Sequence, residues 1–406
     1  MSKTIIKRNL CQMKLFGITL YVKNIEKKQG SKTAYLVSEF LSGILKIRYD
    51  FLAKTFKMRL FNIGILKTRL KGSFRILNFL FFPIWARKIN DEFLNAFLDK
   101  ITLRQPKFDD YYVFLMRSGE FFLLMHHFKQ WLERNKSSNF ALIFTSKSQL
   151  NICRMFYPEM PAVYMKRVEA AAVLRDVGGV YIKHNGKNIY IPAYDGYFHE
   201  VEDRIKTDNA HYYECLKEHL NLSVITGHYN ITERAKAKAE KIIKERLNNN
   251  FVLISPETLS NELLSKDFWN CLCRNLKYMG YEVFCNLTDE KYAVDGTVWE
   301  FLTYEEAIAL SKYAKAIIGM RSGFLECLSQ NNVPLFALYT DFPKRFEFKR
   351  LASNKVLSGF TISKLPNVNT DMLFEYDMNK YNDKTDVILD ISKKIKEFDN
   401  SITQKN

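Results

Sequence analysis

A short glycine-bearing loop between a predicted strand and a predicted helix has the residue types to bind phosphate. The loop Gly319–Gly323 follows the apolar run Ala316–Ile318, and a helix is expected directly after it. Backbone N–H groups at a helix start, together with the helix dipole, attract anions. Ser322 and Gly323 would let the backbone approach a ligand closely, and the planar guanidinium of Arg321 suits phosphate oxygens. An ordinary strand-to-helix turn without a ligand is the alternative interpretation.

Two other predicted strand-to-helix junctions also combine small residues with charge. Glu120 follows Gly119 after an apolar run, where its carboxylate could act as a general base on a hydroxyl or could cap its own helix. Ser255 and Thr258 follow a later apolar run, which is a predicted strand. Because ligands bind at the carboxyl ends of such strands, the two hydroxyls are expected to face the same ligand. Lys266 could neutralise phosphate charge, or it could be an ordinary surface lysine.

Length and composition indicate a globular protein of two or three domains. The chain has 406 residues, of which 47% are hydrophobic and 14% aromatic, enough for sizeable cores. The seven cysteines are scattered and lack the spacing of a zinc site, which favours a reducing compartment and no metal.

The positive charge is concentrated near the N-terminus. Residues 1–108 contain 22 Lys/Arg and 6 Asp/Glu, whereas the other 298 residues contain 39 and 38. This asymmetry predicts an anionic partner for the N-terminal quarter, either membrane headgroups or nucleic acid.

The basic N-terminal quarter is expected to be largely helical. From Ala34 to about Leu80, apolar residues recur at three- and four-residue spacing with cations between them, a pattern typical of a helix lying on an anionic bilayer. A helical subdomain packed on the body is the alternative. The most apolar run, Ile76–Trp85, is too short to span a membrane, so contact from one side is expected.

The rest of the chain alternates predicted strands with helical patterns, which indicates βαβ units and parallel sheets. Thr303 and Glu306 form a predicted capping box at the start of one helix. The expected strands are Tyr111–Met116, Phe140–Phe144, Pro161–Met165, Phe251–Ser255, Tyr281–Cys285, Ala316–Ile318 and Val333–Tyr339. A charged helix, Ala235–Arg246, separates the two series. The expected regions are 1–108, the N-terminal domain 109–234, the C-terminal domain 235–380, and a terminal helix and tail over 381–406.

Several of these segments resemble bacterial heptosyltransferases of glycosyltransferase family 9 and related cell-envelope polysaccharide transferases. Gly119-Glu120 resembles the Gly-Asp element near the start of that family. The run from Ser255 through Lys266-Asp-Phe-Trp269 to Gly280-Tyr-Glu-Val283 is similar to the entry of its donor domain. Gly319-Met-Arg-Ser-Gly-Phe-Leu-Glu326 resembles its Gly-Asn/Asp-Thr/Ser-Gly-x-x-His element, with Arg321 at the Asn/Asp position and Glu326 at the His position.

The resemblance implies a GT-B fold of two facing, doubly wound Rossmann-like sheets, to which the residue pattern adds the basic helical N-terminal region. It implies transfer of a sugar from a nucleotide-diphosphate sugar to a hydroxyl of a lipid-linked or envelope glycan, with no cofactor and no obligatory metal. The implied base is Glu120, and the implied donor-site residues are Ser255, Thr258, Lys266, Arg321, Ser322, Gly323, Glu326 and Asp341. The expected location is cytoplasmic, peripheral on the inner face of the cytoplasmic membrane.

A different class of function is the competing hypothesis. Residues 1–108 could bind nucleic acid or serve as a membrane-surface scaffold, with the α/β body as a non-catalytic support. The sequence contains no recognisable DNA- or RNA-binding motif, so nucleic acid is the less favoured partner.

Overall fold

The computed structural model describes residues 5–403 except 16–17, 29–33, 41–44, 51–54, 61–62, 72–73, 80–81, 89–91, 105, 166–178, 260 and 343–350, with most side chains from Phe97 onward. The described residues form two compact units. The first lies within residues 1–104, and the second within residues 105–165 and 179–406.

The first unit is an antiparallel sheet of eight strands in chain order, followed by helix α1 (Glu92–Arg104). The strands are β1 (Ile5–Leu15), β2 (Ile18–Lys28), β3 (Ala34–Phe40), β4 (Leu45–Asp50), β5 (Thr55–Leu60), β6 (Ile63–Lys71), β7 (Phe74–Phe79) and β8 (Phe82–Lys88). The prediction of helices between residues 34 and 80 is therefore wrong. Apolar and polar residues alternate one by one along β4 and β5, and a period of two belongs to a strand. Such runs also contain apolar pairs four residues apart, which imitate a helical spacing.

The second unit begins with a five-stranded sheet in the order β11-β10-β9-β13-β12. Its strands are β9 (Asp110–Phe114), β10 (Phe140–Phe144), β11 (Ala162–Tyr164), β12 (Tyr181–His184) and β13 (Lys187–Tyr190). Neighbouring strands are parallel except in the hairpin of β12 and β13. Its helices are α2 (Ser118–Met125), α3 (Phe128–Arg134), α4 (Lys147–Phe156), α5 (Asp195–Asp208), α6 (Tyr212–Leu220) and α7 (Glu233–Arg246).

The other sheet of this unit has six parallel strands in the order β16-β15-β14-β17-β18-β19. They are β14 (Phe251–Ser255), β15 (Glu282–Asn286), β16 (Val298–Glu300), β17 (Ala316–Met320), β18 (Leu335–Tyr339) and β19 (Leu373–Asp377). The helices are α8 (Lys266–Tyr278), α9 (Tyr304–Ser311), α10 (Gly323–Leu328), α11 (Ser353–Phe360) and α12 (Thr385–Thr403). The strand of this sheet that comes first in the chain, β14, lies in the middle of the sheet. The strand order reverses between β14 and β17, as in Rossmann nucleotide-binding sheets. The predicted α/β class with two doubly wound halves is confirmed.

Local signals in the sequence set the ends of several helices. Thr303 Oγ1 accepts a hydrogen bond from the N–H of Glu306 at 3.3 Å, and Glu306 Oε2 accepts one from the N–H of Thr303 at 2.9 Å. This confirms the predicted capping box. Gly280 follows α8 with a φ of +89°, a left-handed conformation that glycine adopts without strain.

A continuous apolar core connects the two α/β halves. It includes Phe114 and Phe144 of the first sheet together with Leu253 and Ile317 of the second. Helix α7, the charged segment predicted between the halves, packs its buried Ala239 against this core. The halves therefore share buried apolar surface, which stabilises them as one compact unit.

No helix in the described part of the chain combines the length and the apolar character that crossing a membrane requires.

We predict that, in His126→Gln, the free energy of unfolding decreases less steeply than in the wild type as the pH falls below neutral. His126 lies between the rings of Phe122 and Phe156, and burial lowers its pKa to about 4. A histidine in the unfolded chain has a pKa of about 6.5, so the unfolded chain binds the proton before the folded chain does as the pH falls. The stability that His126 contributes is present above that pH and is lost as the pH falls towards 4, by at most about 1.4 kcal/mol per pH unit.

Urea unfolding of the wild type and of His126→Gln between pH 7.5 and 4.5 would measure this difference. Parallel curves of unfolding free energy against pH for the two proteins would contradict it.

Candidate functional site

The reversal of strand order in the second sheet brings two of the predicted ligand-binding segments together. Ser255 ends β14, and its register partner in β17 is Gly319. The loops that follow both strands therefore leave the same edge of the sheet side by side. Thr258 Oγ1 in the first loop donates to the carbonyl oxygen of Arg321 in the second at 3.3 Å. A Cβ atom on Gly319 would lie 3.2 Å from the Ser255 carbonyl oxygen, so the close approach of the strands favours glycine there.

Arg321 is buried at this edge. Among the lysines and arginines whose side chains the structure describes, it alone is buried, with 8% of its surface exposed. Its Nε donates to the carbonyl oxygen of Phe360 at 3.0 Å. Its guanidinium carbon lies 5.4 Å from the ring centres of both Tyr212 and Phe360. The charge is thus held by an ion pair with Glu326 and by two aromatic faces.

Glu326 lies beside Arg321 and is 1% exposed. Its Oε1 pairs with Arg321 Nη2 and accepts a hydrogen bond from the Tyr212 hydroxyl at 2.6 Å. Burial raises the pKa of the Glu326 carboxyl, and Arg321 and Tyr212 act against that rise. Burial alone would lower the pKa of Arg321, but Glu326 raises it, so the guanidinium stays charged.

The starts of helices α2 and α10 contact one another through glycine. A Cβ atom on Gly119 would lie 2.7 Å from the Cα of Gly323 and would overlap Glu326 Oε2. Ser322 Oγ accepts from the N–H of Leu325 at 3.3 Å and so caps α10. The sequence predicted that Ser322 and Gly323 let the backbone approach a phosphate closely. In the structure, Gly323 allows the backbone of Gly119 to pack closely against it, and the Ser322 side chain caps the helix that it precedes.

Glu120 lies at the start of α2, half-buried. Its Oε2 accepts a hydrogen bond from the backbone N–H of Arg117 at 2.9 Å. This is the capping role that the sequence left as an alternative. The base role stays a prediction.

Two predicted donor-site residues, Lys266 and Asp341, have partners within the protein, and their role in donor binding stays a prediction. Lys266 is 58% exposed and pairs with Asp295 at 2.8 Å, which is the arrangement of an ordinary surface lysine. Asp341 Oδ1 accepts from the N–H of Ser353 at 2.9 Å and from the side chain of Asn379 at 2.6 Å. These bonds tie the chain after β18 to the start of α11, a structural role that the sequence did not indicate.

Sequence reasoning missed the aromatic side chains around Arg321. Tyr212 and Phe360 belong to helices that were not predicted, and no short motif marks either residue. The buried His211, next to Tyr212, bonds the carbonyl oxygen of Thr361 through Nε2 at 2.9 Å. The concentration of tyrosine and histidine between residues 211 and 213 was the one available signal.

Metal ligands do not converge in the part of the chain that the structure describes: no group of three His, Cys, Asp or Glu side chains there could hold an ion. Six described cysteines are free thiols. The prediction that the reaction needs no metal stays a prediction.

We predict that Gly119→Ala destabilises the protein strongly. The added methyl group would overlap the Glu326 carboxylate and press on the backbone of Gly323. Overpacking of this kind costs about 1–3 kcal/mol and more where backbone must move. Thermal or urea unfolding gives the measurement.

Gly179→Ala is the matched control, because no atom of the described residues lies within 4 Å of a Cβ atom at Gly179. Equal effects of the two substitutions on the unfolding free energy would contradict the close contact between the two helix starts.

Comparisons with known proteins give structural likenesses and no sequence match. No protein-family model matches the sequence, and no curated protein matches it significantly. The structure is similar to a family 9 glycosyl transferase from Veillonella parvula, at 12% identity and a TM-score of 0.42, over 69% of this chain and 89% of that one. It is also similar to the ADP-heptose lipopolysaccharide heptosyltransferase II of E. coli, at 11% identity and a TM-score of 0.41, over 71% and 99% of the two chains. A third similar structure is the iron-containing dodecameric glycosyltransferase TibC of enterotoxigenic E. coli, at 12% identity and a TM-score of 0.39, over 58% of each chain.

Proposed function

We propose that the protein is a glycosyltransferase that uses a nucleotide-diphosphate sugar and transfers the sugar to a hydroxyl of a cell-envelope glycan or lipid-linked acceptor. The observation that carries the proposal is the register of Ser255 with Gly319 at the point where the strand order reverses. Ligands of doubly wound sheets bind at the carboxyl ends of the strands at such a point. The two segments that resemble parts of a family 9 donor domain, residues 255–283 and 319–326, both begin at this edge.

The chemistry of the edge suits a leaving diphosphate. In glycosyl transfer, the bond between the anomeric carbon and the diphosphate oxygen breaks, and negative charge grows on the leaving group. Positive charge and fixed donors stabilise that charge. Arg321 supplies the charge, while Ser255 ends the adjacent strand β14 and Thr258 lies in the loop that follows it.

Glu120 is the proposed base. It follows Gly119, whose backbone contacts Gly323 at the start of the donor-side helix. Its carboxylate is half-buried rather than fully enclosed, so an acceptor hydroxyl could approach it and give up a proton as the sugar is transferred. No metal is assigned to the reaction.

The N-terminal unit is the proposed contact with an anionic membrane surface. Its net positive charge is set by the sequence, and it is carried on a basic antiparallel sheet rather than on the helices first expected. The acceptor would be presented at the inner face of the cytoplasmic membrane, where a peripheral enzyme could reach it.

We predict that removal of the Arg321 charge abolishes donor binding. Nucleotide-diphosphate sugars with different bases should be screened for thermal stabilisation of the full chain. A donor present at a hundred times its Kd stabilises the folded state by about 2.7 kcal/mol. In Arg321→Ala combined with Glu326→Gln, which leaves no unpaired carboxylate buried, that stabilisation should disappear.

Arg204→Ala is the control, because Arg204 is a half-buried arginine outside the candidate site, paired with Glu218 at 2.7 Å. Glu120→Gln should keep the donor-induced stabilisation and lose turnover. If no nucleotide sugar stabilises the wild type, the proposed donor site does not exist. If Glu120→Gln loses binding and keeps turnover, the assigned roles are wrong.

We predict that the full chain binds anionic liposomes and that salt weakens this binding. Each cation near an anionic surface contributes about 1 kcal/mol, and the attraction falls off within a Debye length. Co-sedimentation with anionic vesicles, neutral vesicles, duplex DNA and RNA at physiological salt would measure it. Equal binding to all the anionic partners would contradict a membrane-specific surface and would indicate generic electrostatic attraction.

A further inference from the structure

The buried cation at the candidate site is already occupied by groups of the protein. Arg321 is enclosed by the Glu326 carboxylate, the Phe360 carbonyl oxygen and the rings of Tyr212 and Phe360. A phosphate that binds Arg321 must therefore replace a carboxylate that is already there. An anion and the Glu326 carboxylate therefore compete for the guanidinium of Arg321.

The group that holds Glu326 in place comes from the other α/β half. Tyr212 lies on α6, and the next residue, Tyr213, shares a hydrogen bond with His127 Nε2 at 2.6 Å. His127 precedes α3 of the first half. The Tyr212 hydroxyl then donates to Glu326 Oε1 at 2.6 Å, so one hydrogen bond to a charged group connects the first half to the ion pair of the second.

Several atoms of this cluster are left without partners. Among the described residues, Arg321 Nη2, Glu326 Oε2 and His211 Nδ1 are buried and make no hydrogen bond, although Arg321 Nη2 is ion-paired. Buried polar atoms without partners are costly. Of these three atoms only Arg321 Nη2 can donate to an anion, because Glu326 Oε2 is an acceptor and His211 Nδ1 is one too when Nε2 donates to the Thr361 carbonyl oxygen.

We propose that Tyr212, Glu326 and Arg321 form a latch, which holds the two halves together on the empty site and must open before Arg321 can bind the diphosphate. The inference rests on the proposed function, because it concerns access to the same site. The latch keeps Arg321 neutralised until an anion with more negative charge than one carboxylate displaces Glu326. The contact of Gly119 with Gly323 closes the same junction.

Tyr212→Phe tests the latch with a single atom removed. The ring that faces Arg321 stays, while the hydrogen bond to Glu326 is lost. Inorganic pyrophosphate is the probe, with its Kd for the full chain measured by calorimetry. The latch predicts that Tyr212→Phe binds pyrophosphate about tenfold more tightly than the wild type, the effect of losing one hydrogen bond to a charged group from the competing state.

Tyr213→Phe is the matched control. It makes the same chemical change on the same helix, but the lost bond lies within the first half. It should lower the melting temperature and leave the Kd for pyrophosphate unchanged. Glu326→Gln, which keeps the shape and removes the competing charge, should also tighten binding. Equal or weaker binding by Tyr212→Phe would overturn the latch.

Hydrogen exchange provides a readout that needs no ligand. In Tyr212→Phe, amides of residues 212–220 and 323–328 should both exchange faster, because the latch connects these two helices. Tyr213→Phe should not accelerate exchange in residues 323–328. Unchanged exchange there in Tyr212→Phe rejects the latch even if no anion binds. Faster exchange without pyrophosphate binding would support the latch and reject the donor site instead.

Discussion

The burial of a positive charge between the two α/β halves is the constraint on which the candidate site depends. Moving an unpaired ion out of water costs several kcal/mol, and a single Coulombic partner does not always offset that cost. Arg321 therefore needs more than Glu326: the carbonyl oxygen of Phe360 and two aromatic rings complete its surroundings. These groups come from three elements, with Glu326 on α10, Tyr212 on α6 and Phe360 at the end of α11, so the buried charge fixes the mutual positions of these helices.

The contact between Gly119 and Gly323 follows from the same requirement. The Glu326 side chain, one turn into α10, lies against Gly119 with no room for a Cβ atom. A larger residue at either glycine would separate α2 from α10 and open the buried pair to water. The glycines of the two helix starts thus preserve a dry environment for the charges, which strengthens their interaction. The shared apolar core around them excludes water on the other sides.

The sequence predicted what short-range patterns determine. The capping box of Thr303 and Glu306 and the strand Phe251–Ser255 depend on residues a few positions apart, and both occur as predicted. The surroundings of Arg321 depend on Tyr212, which is separated from Glu326 by 114 positions, and no local pattern encodes such a pairing. Lys266 and Asp341 were assigned to the donor site through the resemblance, which carries no information on the side chains that pair with them. In the N-terminal unit, apolar and polar residues alternate along strands β4 and β5. The prediction of helices followed instead from apolar residues four positions apart, a spacing that occurs in both strands and helices.

The two departures from the family 9 pattern at the glycine loop are best understood as one feature. In the sequence, Arg321 at the Asn/Asp position and Glu326 at the His position look like independent changes. In the structure the two side chains form an ion pair. Either charge alone would be buried without a counter-charge, whereas together they are neutral. The loop therefore keeps Ser322 and Gly323 at the Thr/Ser and second Gly positions of the motif, while the charges of Arg321 and Glu326 pair with one another. Any ligand at this edge has to compete with that internal pair, and this competition sets the site apart from a loop whose donors face solvent.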